Sequence, residues 1–289
     1  MRFAIAAADR YLGVFETFVN TGWKPVKLFT MPVATAIDNH QAVSAFAERH
    51  HLPIQLSRIT QRDFHELQEM QCDALIVACY GWRIGDWQPF LKYAVNFHSS
   101  PLPDGRGPYP LHQAILENRP SWGITCHRLA DEFDTGDIMA AEIFPLQHDE
   151  CHESLDLKLQ MAAKKLAAQV AERFVELWNQ ARPQTDGSYW FQKPLEERVI
   201  DFQRPVEDII RHVRAFGATE SVANINGTWL VVKQAVGWSE LHDHPPGTVV
   251  HVNNRTIVVA ALDGYIGLLE PDIMRPDLAA GLPHIGGKA

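Results

Sequence analysis

DALIVACYGWRIGDWQPFLKYAVNFH, residues 73–98, holds two apolar runs, DALIVACY (73–80) and YAVNFH (93–98), that read as strands. Upstream, RFAIAAA (2–8), KPVKLFTMP (24–32) and LPIQLS (52–57) read as further strands. LGVFETFVNTG (12–22), NHQAVSAFAERHH (39–51) and DFHELQEM (63–70) have helical patterns and lie between them. Strands that alternate with helices predict right-handed βαβ units and a mainly parallel, Rossmann-like α/β sheet. Ligands of such sheets sit beyond the carboxyl ends of the strands. Asn96 and His98 end their strand, on that side. Side chains alternate along a strand, so these two point one way while Val95 and Phe97 point into the core.

Working outward, PLHQAILEN (110–118) predicts a helix, and SWGITCHRLA and DIMAAEIFPL predict two strands around the DEFDTG turn. A long helix is expected from Glu153 to about Gln180, because Leu155, Leu159, Ala162, Leu166, Val170, Phe174 and Leu177 recur at intervals of three or four. Residues 182–199 lose that periodicity and read as a linker packed across the first domain. After a short helix at 205–215 come β-branched runs with turns at Asn226-Gly227, Asn253-Asn254 and Asp263-Gly264, which predict a small OB-like β-barrel. The expected division is a catalytic domain at 1–181, a linker at 182–203 and a barrel domain at 204–289.

Composition narrows the function. The chain has 289 residues, 46% hydrophobic and 21% charged, enough for a substantial core. Its formal charge of −9 counts against a broad surface for polyanions, which needs clustered Lys and Arg. Cys72, Cys79, Cys126 and Cys151 are scattered without a CxxC pair and are expected to be reduced, as in the cytoplasm. His242 and His244 flank Asp243 but lack a second half for a zinc site, so no metal is expected. The apolar start is too short for a signal peptide, and no segment approaches a membrane span.

The chemistry gathers between Asn96 and Asp137. An amide beside an imidazole can polarise a carbonyl and stabilise its oxygen as charge develops there. Asp134, on a turn, adds a carboxylate that could keep the imidazole charged or take an amine proton through water. Two prolines stiffen residues 99–103, and Gly105-Arg106-Gly107 permits close backbone approach. No G-x-S-x-G elbow surrounds Ser99 or Ser100, which argues against a serine nucleophile.

N-x-H-x-S-x-LP-x-x-RG, then W-G-I-T-x-H, then D-E-x-D-x-G-D-I, resembles the formyltransferase family that uses 10-formyltetrahydrofolate. That family includes methionyl-tRNA formyltransferase, glycinamide ribonucleotide formyltransferase and N-formyltransferases of nucleotide-linked amino sugars. The resemblance runs over residues 1–180 and is dense between 93 and 143. It implies that Asn96, His98 and Asp134 are the catalytic trio, acting by direct attack of an amine through a tetrahedral intermediate. In that scheme Asn96 and a protonated His98 stabilise the oxyanion, and Asp134 raises the imidazole pKa. CYGWRIG (79–85) corresponds to the family's pterin-holding stretch, making Tyr80, Trp82, Arg83 and Ile84 cofactor-site candidates. Asp131 and Glu132 begin the loop that closes over the same ring. Ser99 and Arg106 are candidates for substrate binding. No nicotinamide is implied, and AAADRYLG after the first strand is not a dinucleotide fingerprint.

The acceptor is read from layout and charge. A second domain favours the methionyl-tRNA and amino-sugar branches, since the glycinamide ribonucleotide enzymes usually lack one. DFQRPVEDIIRHVRAFGA resembles the entry into that second domain. In the tRNA enzymes the loop after the second strand is basic; here MPVATAIDNHQAV has no Lys or Arg between Lys27 and Arg49. From Asp201 onward there are seven Lys or Arg against ten Asp or Glu. The expected acceptor is therefore a small-molecule amine such as a nucleotide-linked amino sugar. Methionyl-tRNA is the alternative, and a folate-binding protein without catalysis a further one. A homodimer is expected only by analogy with relatives.

Overall fold

In a computed structural model, residues 1–32 and 39–275 are described; residues 33–38, within the loop after the second strand, lie outside that range, as do residues from 276 on. The described residues fall into two compact units. Met1–Pro110, Pro120–Leu146 and Asp156–Trp190 form the first; Leu111–Arg119, Gln147–Leu155 and the described residues from Phe191 on form the second. The stretch read as a linker is thus divided, counting with the first unit as far as Trp190.

The first unit is built on strands β1 (Arg2–Ala7), β2 (Lys24–Phe29), β3 (Ile54–Gln55), β4 (Ala74–Ala78), β5 (Tyr93–His98), β6 (Ser121–Arg128) and β7 (Ile138–Pro145). They form one sheet in the order β3-β2-β1-β4-β5-β6-β7. The first five run parallel, and β6 and β7 are added antiparallel. Every residue of β4 is buried, as a central strand with helices on both faces requires. The β1–β4–β5 register is pinned at the end away from the site. There Asp73 accepts from the Arg2 backbone N–H at 3.0 Å and from Lys92 Nζ at 2.7 Å.

Helices α1 (Leu12–Asn20), α2 (Gln41–Arg49) and α3 (Gln61–Glu69) connect the parallel strands. A capping box between Thr60 and Asp63 starts α3. α4 (Pro110–Leu116) follows β5, and the long helix after β7 is interrupted: α5 (His152–Glu172) and α6 (Phe174–Asn179) meet at Arg173, whose backbone leaves helical geometry. Periodicity continues through the break because Phe174 and Leu177 stay buried, which is why the sequence reads as one helix. Under the sheet, Phe18 stands edge-on to Phe97 at 6.2 Å and to Trp23 at 4.9 Å, and Trp23 packs on Phe174. Each such ring is worth about 1.5–3 kcal/mol when buried. Phe97 on this face leaves its neighbours Asn96 and His98 to the other.

The second unit carries α7 (Val206–Glu220) and seven strands, β8 (Val222–Ile225), β9 (Thr228–Val231), β10 (Gln234–Ser239), β11 (Val249–Val252), β12 (Thr256–Ala260), β13 (Gly264–Leu269) and β14 (Asp272–Ile273). They form antiparallel sheets in the orders β10-β13-β12-β11 and β14-β9-β8. α7 outruns the expected helix but bends at Gly217, whose φ of 62° leaves helical space. Val206, Ile209 and Val213 of α7 share a core with Val259, Ile266 and Leu268. Among the described residues no helix is long and apolar enough to cross a membrane, and no group of three potential ligands is arranged around a metal position.

Candidate active site

β5 presents Asn96 and His98 at the floor of a cleft of about 400 Å³ in the first unit. β6 positions the loop that follows β5. Its Thr125 hydroxyl donates to the Ser100 carbonyl at 2.7 Å and accepts from the Leu102 N–H at 3.1 Å, and Trp122 Nε1 donates to the Ser99 carbonyl. The turn between β6 and β7 delivers Asp134. That turn is closed by the Arg128 N–H on the Asp137 carbonyl and by the Arg128 guanidinium on the Asp137 carboxylate, both at 2.9 Å. Gly136 packs so tightly that a Cβ there would lie 1.8 Å from the Arg128 carbonyl oxygen.

Three segments converge on one carboxylate. Asp134 Oδ1 is 3.3 Å from His98 Nδ1 and 3.3 Å from Asn96 Nδ2, and Oδ2 accepts from the Gly107 N–H at 2.9 Å. Gly107 sits at φ 94°, with no room for a Cβ beside the Trp190 carbonyl at 2.7 Å. Asp134 itself is left-handed, at φ 59°, a conformation an aspartate tolerates better than most residues.

Burial acts oppositely on the two ionisable members. It pushes the Asp134 pKa up, but His98, His127 and the Gly107 N–H together outweigh it and hold the carboxyl well below the usual carboxylate range. His98 is the reverse case. Desolvation lowers its pKa and outweighs the raising influence of Asp134 and of the Gly105 carbonyl. Asp134 does raise the imidazole pKa, but the protonated His98 of that scheme is corrected here: the site is dry enough for desolvation to outweigh the favourable charge. His98 Nε2 donates to the Gly105 carbonyl at 2.8 Å while Nδ1 faces Asp134. A neutral ring therefore has a proton for only one of two oxygen partners, and a second proton would satisfy both.

The sequence reading missed two residues here. His127 lies opposite Asn96 in the β5–β6 register, and its Nε2 accepts from Asn96 Nδ2 at 3.2 Å. Its Nδ1–H donates to the Arg128 carbonyl at 2.8 Å, and its Nε2 also lies 3.6 Å from Asp134 Oδ1. The T-x-H pattern was visible, but only the strand register pairs it with Asn96. Gln184 is the other. Its amide donates to the carbonyls of Asp134 and Gly136 at 2.8 and 2.7 Å, from a stretch with no motif.

Tyr80, Trp82, Arg83, Ile84, Ser99, Asp131 and Glu132 all line the same cleft as Asn96, His98 and Asp134. Tyr80 and Ile84 are buried, whereas Arg83, Asp131 and Glu132 are exposed at the rim. Burial pushes the Tyr80 hydroxyl pKa up to about 12, against the lowering influence of the Ile59 backbone. Arg106 lines an adjoining recess of about 410 Å³ with Arg83, Phe133 and Tyr189. Its Nε and Nη2 are already engaged by Gln184 Oε1 at 3.0 and 2.8 Å, and Nη2 also by the Thr185 carbonyl. Arg106 is thus braced in the protein rather than held free for a ligand.

Formyl transferase models match both parts of the chain, the N-terminal domain over residues 30–171 and the C-terminal domain over 194–275. A methionyl-tRNA formyltransferase of Janthinobacterium sp. (strain Marseille) is 31% identical over 205 residues, 68% of this chain and 64% of that protein, so the match spans less than two thirds of that relative. An N-formyltransferase from Helicobacter canadensis, solved with folinic acid and dTDP-3-aminofucose, superposes with a TM-score of 0.69 at 17% identity, covering 93% of this chain and 98% of that one. HypX from Aquifex aeolicus gives a TM-score of 0.67 at 16% identity, over 98% of this chain and 48% of its own. At these identities the structural likeness is one of fold. With both domain models matched in order, the chain belongs to the formyl transferase family.

Proposed function

We propose that this protein transfers a formyl group from 10-formyltetrahydrofolate to the primary amine of a small molecule, a nucleotide-linked amino sugar being the best-fitting class. The observation that carries the reading is the convergence of Asn96, His98 and Asp134 at the floor of a cleft large enough for a pterin. The cleft suits that ring. Trp82, Ile84 and Phe133 give apolar walls.

The folate supplies an activated formyl carbon. Asn96 Nδ2, whose contacts to Asp134 and His127 are long at 3.3 and 3.2 Å, turns toward the formyl oxygen as charge develops there. His98 starts neutral and takes up the proton released by the attacking amine. Once charged, it donates to both the Gly105 carbonyl and Asp134, which stays ionised throughout. The bond from the formyl carbon to the folate N10 then breaks, and the proton passes to N10 of the leaving tetrahydrofolate.

Charge supports a small acceptor. In the second unit Lys233 pairs with Asp272, Arg255 with Glu270, and Arg211 with Glu207 and Asp208. Cations neutralised one by one do not form a face that tracks an RNA backbone. Arg83, exposed in the recess it shares with Arg106, Asp131 and Glu132, is the cation we assign to a diphosphate. Methionyl-tRNA is the second reading, favoured by the identity to the Janthinobacterium enzyme. The test compares formyl transfer to dTDP-linked amino sugars with transfer to initiator methionyl-tRNA across a salt series. Turnover of the sugars with weak RNA binding is expected; tight, steeply salt-dependent binding and formylation of the tRNA would overturn the choice. Folate binding with no transfer to any amine would mark a non-catalytic protein.

A further inference from the structure

We propose that Gln184, in the aperiodic stretch after the long helix, is a positioning residue for Asp134. The inference rests on the reading of Asn96, His98 and Asp134 as the reacting set. The Gln184 amide is fully engaged: both Nε2 hydrogens go to the Asp134 and Gly136 carbonyls, and Oε1 accepts from Arg106 Nε and Nη2. This one side chain therefore ties the turn that carries Asp134 to the loop that carries Gly107, whose N–H binds the Asp134 carboxylate.

The same two loops are clasped again nearby. Arg106 N–H donates to the Ser188 carbonyl at 3.0 Å, Trp190 N–H donates to the Arg106 carbonyl at 2.7 Å, and Ser188 Oγ accepts from the Gly105 N–H at 2.9 Å. The Trp190 ring stacks on Trp122 with centroids 5.3 Å apart. These clasps hold the segment in place without Gln184. What Gln184 adds is directed at Asp134, a non-glycine residue at φ 59° that needs outside support to keep that conformation. Without it the turn relaxes, and the carboxylate leaves His98 Nδ1.

The test reads the imidazole directly. Gln184→Met keeps the volume and removes every amide contact; if that variant misfolds, Gln184→Asn keeps the amide but, one methylene short, draws it back from the Asp134 and Gly136 carbonyls. Thr185→Ala, in the same segment but with its carbonyl intact, is the control. The His98 pKa, followed by ¹⁵N NMR titration, is expected to fall by about one unit in the Gln184 variants, because an opposite charge that raised it has moved away. It should be unchanged in Thr185→Ala. In the transfer assay kcat should fall about tenfold or more while KM for the folate holds. A Gln184 variant that loses thermal stability yet keeps the wild-type His98 pKa would reduce Gln184 to a packing residue and overturn the proposal. Because the titration needs no acceptor, its outcome stands apart from the functional reading, whose failure would show as a wild-type protein that transfers nothing.

Discussion

Asp134 Oδ1 has the His98 ring and the Asn96 amide both at 3.3 Å, so the three side chains should behave as one catalytic unit. Asn96→Ala, His98→Ala and Asp134→Ala are each expected to slow transfer about 10²–10³-fold. The His98→Ala/Asp134→Ala double variant should be no slower than the worse single, because removing one member disables the other. Multiplying losses in steady-state assays would show that the two act separately. The pH profile tests the ionisation. A base that must be unprotonated, with its pKa pushed below the ordinary 6.5 by burial, puts the acid limb of kcat/KM below pH 6.5. An acid limb centred above 6.5 would instead mean that Asp134 controls the ring and the site is wetter than its burial implies.

At the scale of elements, the β6–β7 turn exists in this shape because residue 136 has no side chain. Gly136→Ala would force a Cβ to within 1.8 Å of the Arg128 carbonyl oxygen, and the hairpin must open to admit it. A cost of about 3 kcal/mol and a fall in melting temperature of roughly 5–10 °C are expected, with activity lost because Asp134 moves with the turn. A melting temperature within a degree or two of wild type would show the turn to be pliable. The same elements show what a sequence can reveal. The buried run at 74–78 and the alternation at 95–98 made the sheet, and the side on which Asn96 and His98 emerge, legible, because both follow from side-chain period alone. Asp134 was legible through its motif. His127 was hidden because antiparallel register is a pairing property that no single strand encodes. Gln184 was hidden because an aperiodic stretch gives no sign of where its side chains land. The sign of the His98 shift was equally out of reach: charge can be read from residue types, but dryness is a property of the packed site.

Across the whole molecule, among the described residues, each unit holds a histidine whose pKa is lowered by desolvation. Desolvation is the leading cause for both, His98 in the first unit and His212 in the second, where its Nε2 donates to the Arg198 carbonyl. In both cases the unfolded chain binds a proton more readily than the folded one. Their contribution to stability is therefore full above the unfolded value near 6.5 and is lost as pH falls through the lower folded values. Asp134, Asp63 and Asp73 have folded pKa values below their unfolded ones. By the same sign rule, their stabilisation is present above about pH 4 and disappears only at more acid pH. Stability should thus fall in two stages, the first beginning just below pH 6.5 and owed to imidazoles, the second below pH 4 and owed to carboxylates. Melting temperatures at pH 7.5, 6.5, 5.5 and 4.5 measure the first stage. His212→Phe, which keeps an aromatic ring beside Phe216, should flatten part of it without touching the catalytic cleft. If wild-type melting temperatures are level from pH 7.5 to 4.5, the two imidazoles are not held neutral by burial, and the neutral starting state assigned to His98 falls with that result.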